Sequence, residues 1–249
     1  MKMNKKTGTV STGLKGMIYG VRDSERPEKQ LTIKELGGGK DSVASIAFDR
    51  IKRHFGLVPG NARGVSMKKR FVRGKDDGVH RVVESDSTRN FFVTDRVDGQ
   101  DFQAACCDVK GWGQKQLVLG RDLAMDVLLV MMTRAAFRVS DTNPQNLMLR
   151  RSDDRAVSID EARWLVADGE AIPFKSQNRK LLRGSGVTGS DVDAVAARIS
   201  GVFATKKDAM LSDWTSDGLL DDAAAEKAYR TAMGFVETLA EDVREGLGL

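Results

Sequence analysis

The chain has 249 residues, 41% apolar and 30% charged, with a net charge of +5. This is the balance of a soluble chain large enough for one unit of two lobes, and neither a tandem repeat nor an extended low-complexity tract interrupts it. Its two cysteines, Cys106 and Cys107, are adjacent, which argues against a disulfide between them or a four-ligand zinc site and suits a reducing compartment. The basic N-terminal stretch is not followed by an apolar run, so no secretory leader is expected.

In chain order, Ser11-Thr12-Gly13-Leu14-Lys15-Gly16 reads as a turn whose glycines, Gly13 and Gly16, let backbone N–H groups approach an anion. Strands are predicted over 17–21 and 30–36, joined by the charged turn 22–29. Alternation in the second places Thr32, Lys34 and Leu36 on one face. Gly37-Gly38-Gly39 is a flexible connector into a helix over 41–55, where Val43, Ile46, Ala47, Ile51 and Phe55 recur at helical spacing. Gly56 and Pro59 end that helix. Further strands are predicted over 64–72, 79–84 and 90–97. A helix over 116–136 is apolar nearly all round, so it belongs at the centre of the second lobe. Asp122, Asp126 and Arg134 interrupt it too often for a membrane span, and Asp126 must find a partner there. After a hairpin over 147–159, helices are predicted over 176–183, 191–205 and 221–245, with Asp191 and Asp221 as start signals.

The most informative stretch lies before and within that hairpin. Asp141 opens a turn, Asn146 follows five residues later, and Asp160 stands fourteen beyond that, after an apolar strand. Phosphoryl transfer asks a protein mainly for positioning and charge neutralisation. Magnesium takes oxygen ligands and usually only one or two carboxylates, the rest coming from phosphate and water. Asn146 and Asp160 match that donor set. Asp141 is placed to orient an acceptor hydroxyl and take its proton. Residues 147–149 and 156–159, as two short strands around the polar turn 150–155, would hold both metal groups at adjacent strand ends.

The stretch from Leu119 to Asp160 resembles the catalytic segment of the protein kinase-like superfamily, in particular its actin-fragmin kinase-like, HipA-like and phosphatidylinositol kinase-like branches. The resemblance implies an α+β, two-lobed fold: an N-terminal sheet lobe with one helix over 1–97 and a helical lobe over 98–249. It implies ATP and Mg2+ as cofactors, Asp141 as the catalytic acid, and Asn146 and Asp160 as metal groups. Thr32-Ile33-Lys34 resembles the strand whose lysine reaches the phosphates, making Lys34 a catalytic and nucleotide-binding residue. Asp49 becomes its candidate acidic partner, since Ser45 stands where the family carries a glutamate. The turn at Asp98-Gly99 would lie under the adenine.

The function expected on this basis is a small protein Ser/Thr kinase acting on an unidentified protein in a cytoplasmic, reducing compartment, including a host cytosol if the chain is a delivered effector. No integral membrane association is expected. A pseudokinase stays open, because Thr133-Arg134 occupies the place where the actin-fragmin branch can carry its catalytic Asp-Arg. A third reading comes from charge. Residues 1–81 hold nineteen Lys or Arg against eight acids, with Met67-Lys68-Lys69-Arg70 at the densest patch, so nucleic acid is a less favoured partner beside a solvated strand edge.

Overall fold

A computed structural model describes residues 2–3, 12–13, 16–22, 30–35, 39–73, 80–102, 119–139, 146–161, 164 and 176–249. The chain is α+β and divides into two units: Met1–Asp49 with Gly60–Arg96, and Arg50–Pro59 with Val97–Leu249. Residues 50–59, grouped by sequence with the first lobe, thus fall in the second unit.

The first unit is built on an antiparallel sheet of β1 (Lys2–Met3), β2 (Thr12–Gly13), β3 (Gly16–Arg22), β4 (Gln30–Glu35), β5 (Arg63–Arg73) and β6 (His80–Asp95). The order is β1-β3-β4-β6-β5, with β2 paired to β3. Alternation along β4 and β6 sends Leu31, Ile33, Phe91 and Val93 into a core, against which Val65 and Met67 pack. Each such burial is worth about 1.5–3 kcal/mol. Helix α1 (Gly39–Ile51) adds Ala44, Ile46, Ala47 and Phe48 to the buried set. Gly64 in β5 lies over Ile46, at a distance where an added Cβ would make ordinary contact, 3.6 Å from Ile46 Cδ1.

Two expected strands, 79–84 and 90–97, are one. Strand β6 runs unbroken through Ser85-Asp86-Ser87-Thr88-Arg89, the residues left between the two expected strands. The partner strand explains it: β5 pairs with β6 from Arg63↔Val93 to Arg73↔His80, with an irregularity between Met67 and Lys69 that absorbs the unmatched residues. Ser85 to Thr88 have no register partner on β5 and form the irregularity between two paired segments of the ladder.

In the second unit, α1 continues into a 3-10 turn over Lys52–Phe55, closed by Gly56 at φ 75°, the left-handed conformation glycine adopts freely. A small sheet follows, β7 (Gly99–Asp101), β8 (Leu147–Arg150) and β9 (Ala156–Ser158), in that order and antiparallel. The helices are α2 (Arg121–Ala136), α3 (Ser176–Gly184), α4 (Gly189–Thr215), α5 (Asp222–Val236) and α6 (Leu239–Leu247). Every residue of α2 from Val127 to Ala136 is buried, and the helix packs on α3, α4, α5, α6 and β9.

The helix expected over 191–205 ends at a kink at Lys206 (φ −119°, ψ 16°), past which α4 runs on to Thr215, and the one expected over 221–245 is split between α5 and α6. Asp221 caps α5 by accepting from the Ala224 N–H at 2.7 Å. Asp191 does not cap α4; Thr188 does, and Asp191 completes a reciprocal capping box three residues on. Phe55, Phe137, Phe203, Trp164 and Trp214 form one aromatic cluster with centroids 5.3–6.2 Å apart, and the Tyr229 hydroxyl beside it donates to Phe203 O at 2.7 Å. Among the described residues no helix is long and apolar enough to cross a membrane.

Candidate functional site

The site is built on the β8–β9 hairpin. Its ladder pairs Leu147↔Ser158, Met148↔Val157 and Leu149↔Ala156, and one further backbone bond, Ile159 N–H to Asn146 O at 2.9 Å, extends it past the last pair. That bond sets Asn146 and Asp160 side by side at the open end of the hairpin. At the other end, Arg150 N–H donates to Arg155 O at 2.9 Å, and the turn between them is tied by the Arg150–Asp153 ion pair. That guanidinium holds the Asp153 carboxyl below its ordinary range.

Strand β9 is anchored to α2 through Asp126. Its carboxylate accepts from Ala156 N–H at 2.6 Å and from Arg155 Nε at 3.0 Å. This is the partner that a carboxylate in an apolar helix requires, and it begins the strand that ends at the site.

Asn146 is buried, whereas Asp160 is exposed. Asp160 has φ 56°, a left-handed conformation that costs a non-glycine residue about 1–3 kcal/mol and persists only where the surroundings fix it. Those surroundings are unusual. Lys52, Arg134 and Glu161 are each 5% exposed or less. Lys52 Nζ donates to Ser158 O at 2.9 Å and lies 2.8 Å from Glu161 Oε1. Arg134 donates to Ser158 Oγ at 2.7 Å and Ile159 O at 3.2 Å, and stands 3.8 Å from Glu161 Oε1. Among the described residues no hydrogen bond reaches that oxygen, and the charge of the two cations draws it in. Residues on both sides of Asp160 are therefore pinned.

Of the residues expected from sequence, the structure brings together Asn146 and Asp160. Asp141 lies outside the described residues. Lys34 and Asp49 belong to the first unit. Lys34 is half-buried on the face of β4 opposite Leu31 and Ile33, between Ile18 and Phe92 in register. The Asp49 carboxylate accepts from the N–H groups of Gly60 at 2.7 Å and Ala62 at 2.8 Å, holding the loop that enters β5. Gly13 and Gly16 face each other across the β2–β3 ladder. Thr133 is fully buried in α2, its hydroxyl donating to Leu129 O at 2.8 Å. Lys68, Lys69 and Arg70 are exposed on β5.

Sequence reading missed the roles of Lys52, Arg134 and Glu161. Arg134 carried a signal, since a cation inside an apolar helix must be compensated just as Asp126 must. Lys52 looked like an ordinary basic helix end and Glu161 like the start of a loop. Among the described residues no three His, Cys, Asp or Glu side chains cluster as a metal site. A magnesium ion held by one carboxylate, one amide and phosphate oxygens needs no such cluster, and the oxygen donors of Asn146 and Asp160 fit it.

No protein-family model and no curated protein matches the sequence. Similar solved structures include the Shewanella oneidensis HipA–HipB toxin–antitoxin complex with operator DNA, at 10% identity and TM-score 0.46, covering 88% of this chain and 60% of that one. A Chaetomium thermophilum CAK complex bound to ATP-gamma-S matches at 14% identity and TM-score 0.41, over 96% of this chain and 88% of that one. The Leishmania major MAP kinase LmaMPK10 matches at 12% and 0.38, over 93% and 80%. With these TM-scores below 0.5, the likeness carries no argument about this chain's activity, substrate or partner, and this chain spans about three-fifths of the HipA-system chain it matches.

Proposed function

We propose that the chain is an ATP-dependent phosphotransferase that modifies a Ser or Thr hydroxyl of a protein substrate. The observation that carries this is the Asn146–Asp160 pair, an amide and an exposed carboxylate fixed on adjacent strand ends by the Ile159–Asn146 bond. In this reading Asn146 and Asp160 hold magnesium, whose role when bound is to neutralise charge on the transferring phosphoryl group. Lys34, directed away from the sheet core, contacts nucleotide phosphate, with Asp49 on its own unit as the candidate acid. Gly13 and Gly16 offer backbone N–H groups to the phosphates. Asp141 orients the acceptor hydroxyl and takes its proton. A reducing compartment, including a host cytosol for a delivered effector, suits the chemistry and the adjacent cysteines.

A second reading, nucleotide binding without transfer, is favoured by one observation. Thr133, at the place where the actin-fragmin branch can carry its acid, is buried and engaged within α2, so the acid must be supplied by Asp141 or is missing. Incubation with radiolabelled ATP and magnesium, comparing wild type with Asp141→Ala and Asp160→Ala, separates the two. Transfer by wild type that falls at least ~10²-fold in each variant supports the phosphotransferase. Equal transfer by all three overturns the site. ATP binding without transfer in any of them leaves the second reading.

A further inference from the structure

We propose that Glu161, clamped between Lys52 and Arg134, is a positioning residue that sets Asp160 for its metal. The inference rests on the reading of Asp160 as the magnesium carboxylate, and every group it uses lies in the second unit.

Aspartate enters the left-handed region more readily than most side chains, and at residue 160 the segments on both sides of that conformation are held. On the N-terminal side, Ile159 is fixed twice: its N–H donates to Asn146 O and its carbonyl accepts from Arg134. Ser158 is also fixed twice, its carbonyl by Lys52 and its hydroxyl by Arg134. On the C-terminal side the anchor is Glu161, drawn inward to the same two cations. A short stretch with its two flanks tied to one buried pair of cations restricts the backbone at residue 160, whose side chain is exposed.

The chemistry of the clamp is charge rather than hydrogen-bond geometry at Glu161, since Oε1 accepts no hydrogen bond. An isosteric glutamine removes the attraction and keeps the shape. Lys52 opens the 3-10 turn that follows α1, and Arg134 lies in the last turn of α2, so the clamp ties the segment around Asp160 to two elements of regular structure. Groups that orient metal ligands in this indirect way contribute about 10–100-fold in metal affinity.

The test is calorimetric titration of ATP, with EDTA and then with magnesium, into wild type, Glu161→Gln and the double variant Lys52→Met/Glu161→Gln. Alongside it, amide hydrogen exchange over residues 146–161 is followed in metal-free protein. The double variant removes both charges of the close pair, so that no lysine is stranded, while Arg134 keeps its bonds to Ser158 Oγ and Ile159 O; circular dichroism identifies the variants that are folded. Both variants are expected to bind ATP as wild type does in EDTA, to lose about tenfold or more of the magnesium-dependent gain, and to exchange faster at Ile159. A folded variant that keeps the wild-type magnesium gain and wild-type exchange overturns the positioning role alone. Wild type that binds ATP with no magnesium gain overturns the reading of Asp160 itself, and the inference falls with it.

Discussion

Replacing Asp126 tests whether a carboxylate in α2 really organises the hairpin that carries the site. Its side chain is 13% exposed and its partner Arg155 40%, so the two contacts must be weighted differently. The Ala156 N–H bond, at 2.6 Å to a charged acceptor, is worth about 1.5–3 kcal/mol. The pair with Arg155 reaches 2.8 Å, but its exposed guanidinium limits it to about 0.2–1 kcal/mol. Asp126→Ala should therefore cost about 2–4 kcal/mol, because the N–H that opens β9 is stranded as well. Asp126→Asn, which keeps an oxygen for that N–H, should cost roughly half as much. Arg155→Ala should cost least, about 1 kcal/mol or below. Urea unfolding followed by tryptophan fluorescence reads this directly, since Trp164 and Trp214 are buried together in the aromatic cluster of the same unit. An Asp126→Ala midpoint equal to wild type, or a larger loss for Arg155→Ala, would refute the assignment of Asp126 as the strand's anchor.

Gly99→Ala should destabilise the second unit by about 1–3 kcal/mol in the same assay, because a Cβ there would stand 2.1 Å from the backbone oxygen of Leu149. Arg121, with help from the Thr188 N–H and hydroxyl, holds the Asp191 carboxyl well below the usual carboxylate range. Its contribution is thus fully present above the unfolded value of about 3.9 and is lost as pH falls from there through the folded value. Thermal midpoints measured from about pH 5 down to about pH 2.5 should fall less steeply for Asp191→Asn than for wild type. Lys68, Lys69 and Arg70 are expected to act as a solvated strand edge, so their combined replacement by alanine should leave oligonucleotide binding unchanged. A log–log salt slope that shrinks by about 0.9 for each lost cation would instead assign β5 to nucleic acid.

What could be read without coordinates was whatever short-range chemistry fixes. The hairpin over 147–159, the buried α2 and the Asp221 cap follow from alternation, helical spacing and local hydrogen-bonding geometry, all of which act within a few residues. The adjacency of Asn146 and Asp160 was legible for the same reason, because a short hairpin brings its two ends together whatever surrounds it. Strand β6 was not legible as one element, since its two paired segments are aligned only by their common partner β5, across an irregularity opposite Lys68. The split between α5 and α6 was likewise hidden in one helical pattern. Nor could Lys52, Arg134 and Glu161 be recognised as one cluster: they lie up to 109 positions apart, and charge attraction between residues so distant along the chain exists only after folding has excluded water from around them. Sequence determined that an amide and a carboxylate, Asn146 and Asp160, stand at the open end of one hairpin; tertiary packing alone decided what holds the residues that flank Asp160, because Lys52, Arg134 and Glu161 meet only in the folded chain.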